Sequence, residues 1–90
     1  MGKMIYKKIL PEFYREVASG NKAFEIRKDE DDVQVGDLIT LREWDGKRYT
    51  GCSVLAKVSY VLRDAEEYGL MSGYCIIGLR NISMSLEIGG

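Results

Sequence analysis

The dipeptide Asp45-Gly46 lies between two strand-like stretches, Leu38 to Trp44 and Tyr49 to Leu62, and it constrains the fold more than any other feature. Asp-Gly supplies the positive backbone angles of a tight hairpin turn, so the two stretches are expected to run antiparallel as neighbours. In a chain of 90 residues such a hairpin occupies the middle of a single domain. The second arm places Val54, Ala56, Val58, Tyr60 and Leu62 on one face, and Gly51 inside it marks a bulge or bend.

The flanking pattern adds three more strands and one helix. Met4 to Leu10 is short and apolar-rich and reads as a strand. Pro11 then opens a helix, because its missing N–H costs nothing at the first helical position. Leu10, Phe13, Tyr14 and Val17 form an i, i+3, i+4, i+7 stripe, and Gly20 ends the helix in a left-handed conformation. Lys22 to Lys28 alternates, with Phe24 and Ile26 on one face and Ala23, Glu25 and Arg27 on the other. Asp29 to Val35 is a loop, Gly36-Asp37 a turn, and Arg63 to Ser72 a connection with one short helical turn. Gly73 to Arg80 is the last strand.

The fold class is therefore α+β: a mixed sheet of about five strands, curled like a small barrel to remove its edges, with one main helix. Residues 1–80 form the domain, and residues 81–90 read as a weakly patterned tail. The expected core is Phe13, Val17, Phe24, Ile26, Leu38, Val58, Ile76 and Leu79.

Composition narrows the chemistry. Lys and Arg number 13 against 14 acids, for a net charge of −1, so the total charge alone does not point to nucleic acid. The charge is nevertheless sorted. Residues 1–28 hold seven basic residues and three acids, while residues 29–46 hold one Arg and seven acids, centred on Asp29-Glu30-Asp31-Asp32. That run lacks the Gly and Glu spacing of a calcium loop and reads as a solvated loop. The absence of His removes Ser-His and Cys-His catalysis and all histidine metal sites, so no metal and no cofactor are expected. Cys52 and Cys75 form no CxxC and are expected to be free thiols in a reduced, cytoplasmic protein. No signal peptide or membrane span is legible.

The segment Gly20-Asn21-Lys22-Ala23-Phe24-Glu25-Ile26-Arg27 reads GxKxxExR. Gly20 turns the chain out of the helix. Glu25 and Arg27, two apart on a strand, project from the same face about 6–7 Å apart. Arg offers a planar fork and Lys a mobile point charge for a phosphate or carbonyl oxygen. On an exposed face such charges would contribute within about ±0.5 kcal/mol to stability.

This motif after a short helix resembles the signature of ASCH domains, in the PUA-like superfamily. The likeness is closer to a small ASCH-like family of bacteria and their phages. It rests on Ile9-Leu10-Pro11-Glu12, Ser19 to Lys28, Val33-Gln34-Val35-Gly36-Asp37, Leu41-Arg42-Glu43-Trp44, Tyr49-Thr50-Gly51, Val58 to Leu62, Gly69-Leu70 and Gly73-Tyr74. It covers about residues 5–80.

The resemblance implies a PUA-like barrel that binds RNA or a nucleotide-like small ligand in a polar cleft. The ligand-binding residues would be Gly20, Lys22, Glu25, Arg27, Lys28 and Trp44, with Trp44 as a stacking face. Small bacterial members of the superfamily resemble amidohydrolases acting on N4-acetylcytidine, with a Lys, a Thr three residues later and a distant Glu. Lys22 matches the first, Glu25 stands at the Thr position, and Glu66 or Glu67 is the candidate for the distant acid. Relatives often carry His near the first strand, where this chain has Tyr6. As an enzyme the chain would use Lys22 and Glu25 as catalytic residues on a C–N bond. A third expectation is a phage or mobile-element accessory protein that binds a protein partner.

Overall fold

The computed structural model describes residues 2–86. The elements run β1 (Met4–Ile9), α1 (Pro11–Ala18), β2 (Phe24–Lys28), β3 (Leu38–Trp44), β4 (Tyr49–Leu62), a 3-10 turn over Glu66–Tyr68, and β5 (Tyr74–Leu86). The strands form one sheet in the order β1-β3-β4-β5-β2. β1 runs parallel to β3, and every other pair is antiparallel. The result is the curled, half-barrel mixed sheet with one helix that the sequence pattern predicts. Among the described residues no helix is long and apolar enough to cross a membrane.

The hairpin forms at Asp45-Gly46 as expected, as a four-residue loop between the paired Trp44 and Tyr49 in which Gly46 and not Asp45 takes the positive φ. The Asp45 carboxylate accepts from the backbone N–H groups of Lys47 (2.8 Å) and Arg48 (2.9 Å), and Gly46 takes φ +104°. Between Arg42 and Trp44 the β3–β4 register shifts, and Gly51, at φ +96°, lies in the opposing stretch of β4. A residue with a side chain would be strained there.

The core fills the hollow of the curl. Ile5, Ile9, Ile39, Leu41, Val54, Ala56, Val58, Cys75, Ile77 and Leu79 point inward, and α1 closes over them with Val17 fully buried. The helix has the predicted Pro11 start and leaves through Gly20 at φ +86°. Because β1 precedes α1 and β2 follows it, the helix carries the chain from one edge of the sheet to the other. The two edges face each other across a seam, where the Arg27 guanidinium donates to the Lys8 carbonyl at 2.6 Å.

Four expected core residues are not in the core. Phe13 and Phe24 are each 43% exposed, Ile26 54% and Leu38 37%. On β2 the alternation holds but its phase is inverted: Glu25 and Arg27 face inward, opposite Ile77 and Cys75. On β3 the inward positions are Ile39 and Leu41, which turns Leu38 outward. Ile76 is half-buried because Cys75 and Ile77 hold the inward phase of β5. On β4 a register shift between Val58 and Tyr60 breaks the expected face, so Tyr60 is exposed.

The domain also extends past Arg80. β5 continues to Leu86 and pairs with β4 from Ser83 onward, after Asn81 takes φ +54° where the register shifts. The expected tail is thus strand over residues 81–86, and residues 87–90 lie outside the described residues. The acidic run is not simply solvated. Lys7 pairs with Asp31 (2.5 Å) and Glu30 (3.3 Å), and Arg63 pairs with Asp29 (2.5 Å). The loop is thereby tied to β1 and to the start of the β4–β5 connection. Both cysteines are free.

Candidate functional site

Three sequence-predicted residues converge at the seam. Lys22 leaves the helix end, where its backbone N–H donates to the Glu16 carbonyl at 2.9 Å, and Glu25 and Arg27 follow on β2. Glu25 is only 4% exposed. A buried carboxylate is costly unless it is paired and hydrogen-bonded, and here both oxygens are engaged. Oε2 accepts from Lys22 Nζ. Oε1 accepts from Arg27 Nε (3.0 Å) and Nη2 (2.7 Å). The chemical need for two cations explains why β2 turns its charged face inward.

The cluster forms the floor of a cleft of about 320 Å³ lined by Lys8, Ile9, Leu10 and Phe13 on one side and Lys22 and Phe24 to Arg27 on the other. Its apolar walls include Phe13, Phe24 and Ile26, which the sequence pattern placed in the core, together with Leu10 of the helix stripe. Leu10, Phe13, Phe24 and Ile26 are each 43–54% exposed. Lys22 Nζ lies 4.9 Å from the Phe24 ring centroid and 5.4 Å from that of Phe13, within cation–π range.

The donors are partly spent. Lys22 Nζ donates to Glu25 and to the Phe24 carbonyl (2.8 Å), which leaves one of its three protons. Arg27 Nη2 serves Glu25 and Lys8, and Nη1 makes no hydrogen bond within the described residues. One ammonium hydrogen and the Nη1 hydrogens therefore remain for a ligand oxygen. Two cations against one carboxylate give the floor a net positive charge, with Lys8 beside it.

The chain belongs to the family described as Domain of unknown function (DUF3850). The family match spans residues 6–79, which takes in the whole cleft, all of β2, β3 and β4, β1 from Tyr6 and β5 as far as Leu79. No curated protein matches the sequence.

Within this DUF3850 domain the other expected site residues lie apart from the cleft. Gly20 provides the turn and does not line it; a side chain there would meet open space, so only the positive φ demands Gly. Lys28 is exposed on the outward phase of β2. Trp44 is half-buried, with Lys8 Nζ 4.0 Å from its ring centroid and Tyr49 packed edge-on at 5.0 Å. Lys8 thus stands between Trp44 and the cleft. Glu66 and Glu67 are exposed on the 3-10 turn and do not line the cleft.

Lys8, Leu10, Phe13, Phe24 and Ile26 went unrecognised as cleft residues because apolar alternation alone does not say which face is inside. The usable signal was the spacing of Glu25 and Arg27, which puts both charges on one face. No trio of Cys, Asp or Glu arranged to hold a metal is found among the described residues.

Proposed function

We propose that the domain is an ASCH/PUA-like module that binds RNA or a nucleotide in the β1–β2 cleft. One observation carries the reading: a buried Glu25 held between Lys22 and Arg27 at the floor of a cleft with exposed aromatic walls. Phe13 and Phe24 offer apolar surface to a planar base, and the remaining Lys22 and Arg27 hydrogens suit its carbonyl oxygen or a phosphate. Glu25 orients both cations.

The arrangement favours binding over hydrolysis. Lys22 donates to a carboxylate and a carbonyl and so acts as a fixed cation, in the role of a clamp on oxygen. Calorimetry with cytidine 5′-monophosphate tests the reading. Saturable binding is expected. Lys22→Ala should weaken it about tenfold or more, since a charge-assisted contact is worth about 1.5–3 kcal/mol. Phe24→Ala should weaken it about tenfold, since stacking of a base on an aromatic ring is worth about 1–3 kcal/mol. Equal affinity in parent and both variants, or no binding, refutes the cleft. Incubation with N4-acetylcytidine is expected to return it intact; release of acetate would replace the binding module with a hydrolase.

A further inference from the structure

The two strand edges that bound the cleft carry backbone groups that no neighbouring strand takes up, and the ladder fixes which groups these are. The Ala23 carbonyl accepts from the Leu79 N–H, and the Asp29 N–H donates to the Gly73 carbonyl, each at 2.9 Å. Bonded pairs alternate along an antiparallel ladder. Ala23, Glu25, Arg27 and Asp29 therefore turn their backbone groups toward β5, while Phe24, Ile26 and Lys28 turn theirs to the free edge. On β1 the bond from the Leu38 N–H to the Lys3 carbonyl (2.9 Å) sets the phase in the same way. Ile5, Lys7 and Ile9 face β3, and Tyr6 and Lys8 face the seam.

Three carbonyls on these edges are capped from within the domain. Lys22 Nζ donates to that of Phe24 (2.8 Å), the Glu30 N–H to that of Lys28 (3.0 Å) and Arg27 Nη2 to that of Lys8 (2.6 Å). Ile26 differs. No side chain or turn among the described residues bonds its N–H or its carbonyl, and Ile26 lines the cleft. A peptide that joined this edge as a strand would need several uncapped residues in a row, and β2 has one. What one residue offers is a donor and an acceptor side by side. A planar heterocycle whose rim carries an acceptor next to a donor answers both. Every nucleobase has that arrangement on its pairing edge, the edge by which proteins read unstacked bases. The volume of about 320 Å³ lies at the small end of ligand sites and suits one such ring.

We infer that the cleft reads one unpaired nucleobase by its pairing edge, with the Ile26 N–H donating to the base and the Ile26 carbonyl accepting from it. The inference rests on the nucleotide-binding reading above and narrows it. A base already paired in a duplex has no free edge to offer, so the ligand is a single-stranded or extruded base. The free hydrogens of Lys22 and Arg27 then serve an adjoining ring oxygen, and Phe13 and Phe24 cover the ring.

Calorimetry with three neutral-base ligands tests it: cytidine 5′-monophosphate, its N4,N4-dimethyl derivative and its 5-methyl derivative. Dimethylation removes the donor from the pairing edge and should weaken binding at least tenfold. The 5-methyl group lies off that edge and should change affinity by less than about threefold. On the protein side, Ile26→Pro deletes the N–H that faces the cleft. Proline is tolerated on an edge strand where its nitrogen faces away from the ladder, so the variant should keep its circular dichroism spectrum and bind cytidine 5′-monophosphate at least tenfold more weakly. Equal affinity for the dimethyl and parent nucleotides, or a folded Ile26→Pro variant with unchanged affinity, overturns the inference while the cleft reading stands. The ligand comparison needs no variant and decides the matter even if Ile26→Pro does not fold. Absence of binding by all three nucleotides overturns the cleft reading and this inference with it.

Discussion

Removing the Glu25 carboxylate should cost far more than removing a surface charge. In Glu25→Ala, Lys22 and Arg27 lose their shared counterion while still held against the seam, one by the Phe24 carbonyl and the other by the Lys8 carbonyl. Breaking a buried pair from one side typically costs about 3–5 kcal/mol. The two cations here retain 19% and 23% side-chain exposure, so they recover part of their hydration and the lower end applies. The expected loss is about 3 kcal/mol, out of the roughly 5–10 kcal/mol usual for a domain of this size. Lys22→Ala leaves Glu25 with the two Arg27 bonds and should cost about 1–2 kcal/mol. The double variant should then show a coupling of about 1 kcal/mol or more.

Urea denaturation followed by circular dichroism measures all three. A drop of 3 kcal/mol would also lower the melting temperature by about 12–24 °C. A loss below about 0.5 kcal/mol for Glu25→Ala would refute the reasoning, because that is the value for a solvated surface charge. The cluster would then sit in water, and the cleft would have no fixed floor.

Two further outcomes follow from buried groups elsewhere. Burial alone would raise the carboxyl of Asp37, but Lys3 and the backbone N–H groups of Gln34 and Lys3 outweigh it and hold the group down at about 2 against an ordinary 3.8. Its contribution, about 2 kcal/mol, is complete above about pH 4 and is lost as pH falls through 2, so Asp37→Asn should flatten the stability profile between pH 4 and 2 in thermal melts. Burial pushes the Cys75 thiol up, with Asp29 adding to the effect, so a disulfide reagent at pH 8 should modify Cys52 first in the folded protein and both thiols after unfolding; a fast Cys75 or a missing thiol in urea contradicts this.

The hairpin, the helix with its Pro11 start and Gly20 exit, and the curled five-stranded sheet were legible because each follows from a local rule. Backbone freedom at Gly, the fixed φ of Pro and side-chain period act within a few residues, whatever the rest of the chain does. The phase of β2 was not legible for the opposite reason. Its first four residues alternate two apolar with two charged positions, and period alone treats both phases as equal. What decides between them is long-range. Glu25 meets Lys22 from the helix end and Arg27 from its own strand, and Arg27 is anchored by the Lys8 carbonyl on the far edge of the sheet. With those partners assembled the charged face can go in, and Phe24 and Ile26 turn out toward the cleft's rim. The tail is a different case. Residues 81–86 alternate polar and apolar, with Ile82, Met84 and Leu86 at every second position, a strand signal that was legible, and β4 is long enough to pair with them.

The inverted strand also links the fold to the site. A sheet that curls but does not close leaves two edges with unpaired backbone groups, which invite pairing with other chains. In this domain one of those groups, the Lys8 carbonyl, is satisfied by a side chain from the opposite edge. Arg27 therefore does two things at once: it holds the seam, and it presents its remaining donors to whatever enters the cleft. A ligand that recruited Arg27 away from Lys8 would loosen the seam, while one that used only Nη1 and the last Lys22 hydrogen would leave it closed. The second course costs no structural bond, so the cleft is best suited to a ligand that presents one oxygen to its floor and a flat apolar body to Phe13 and Phe24.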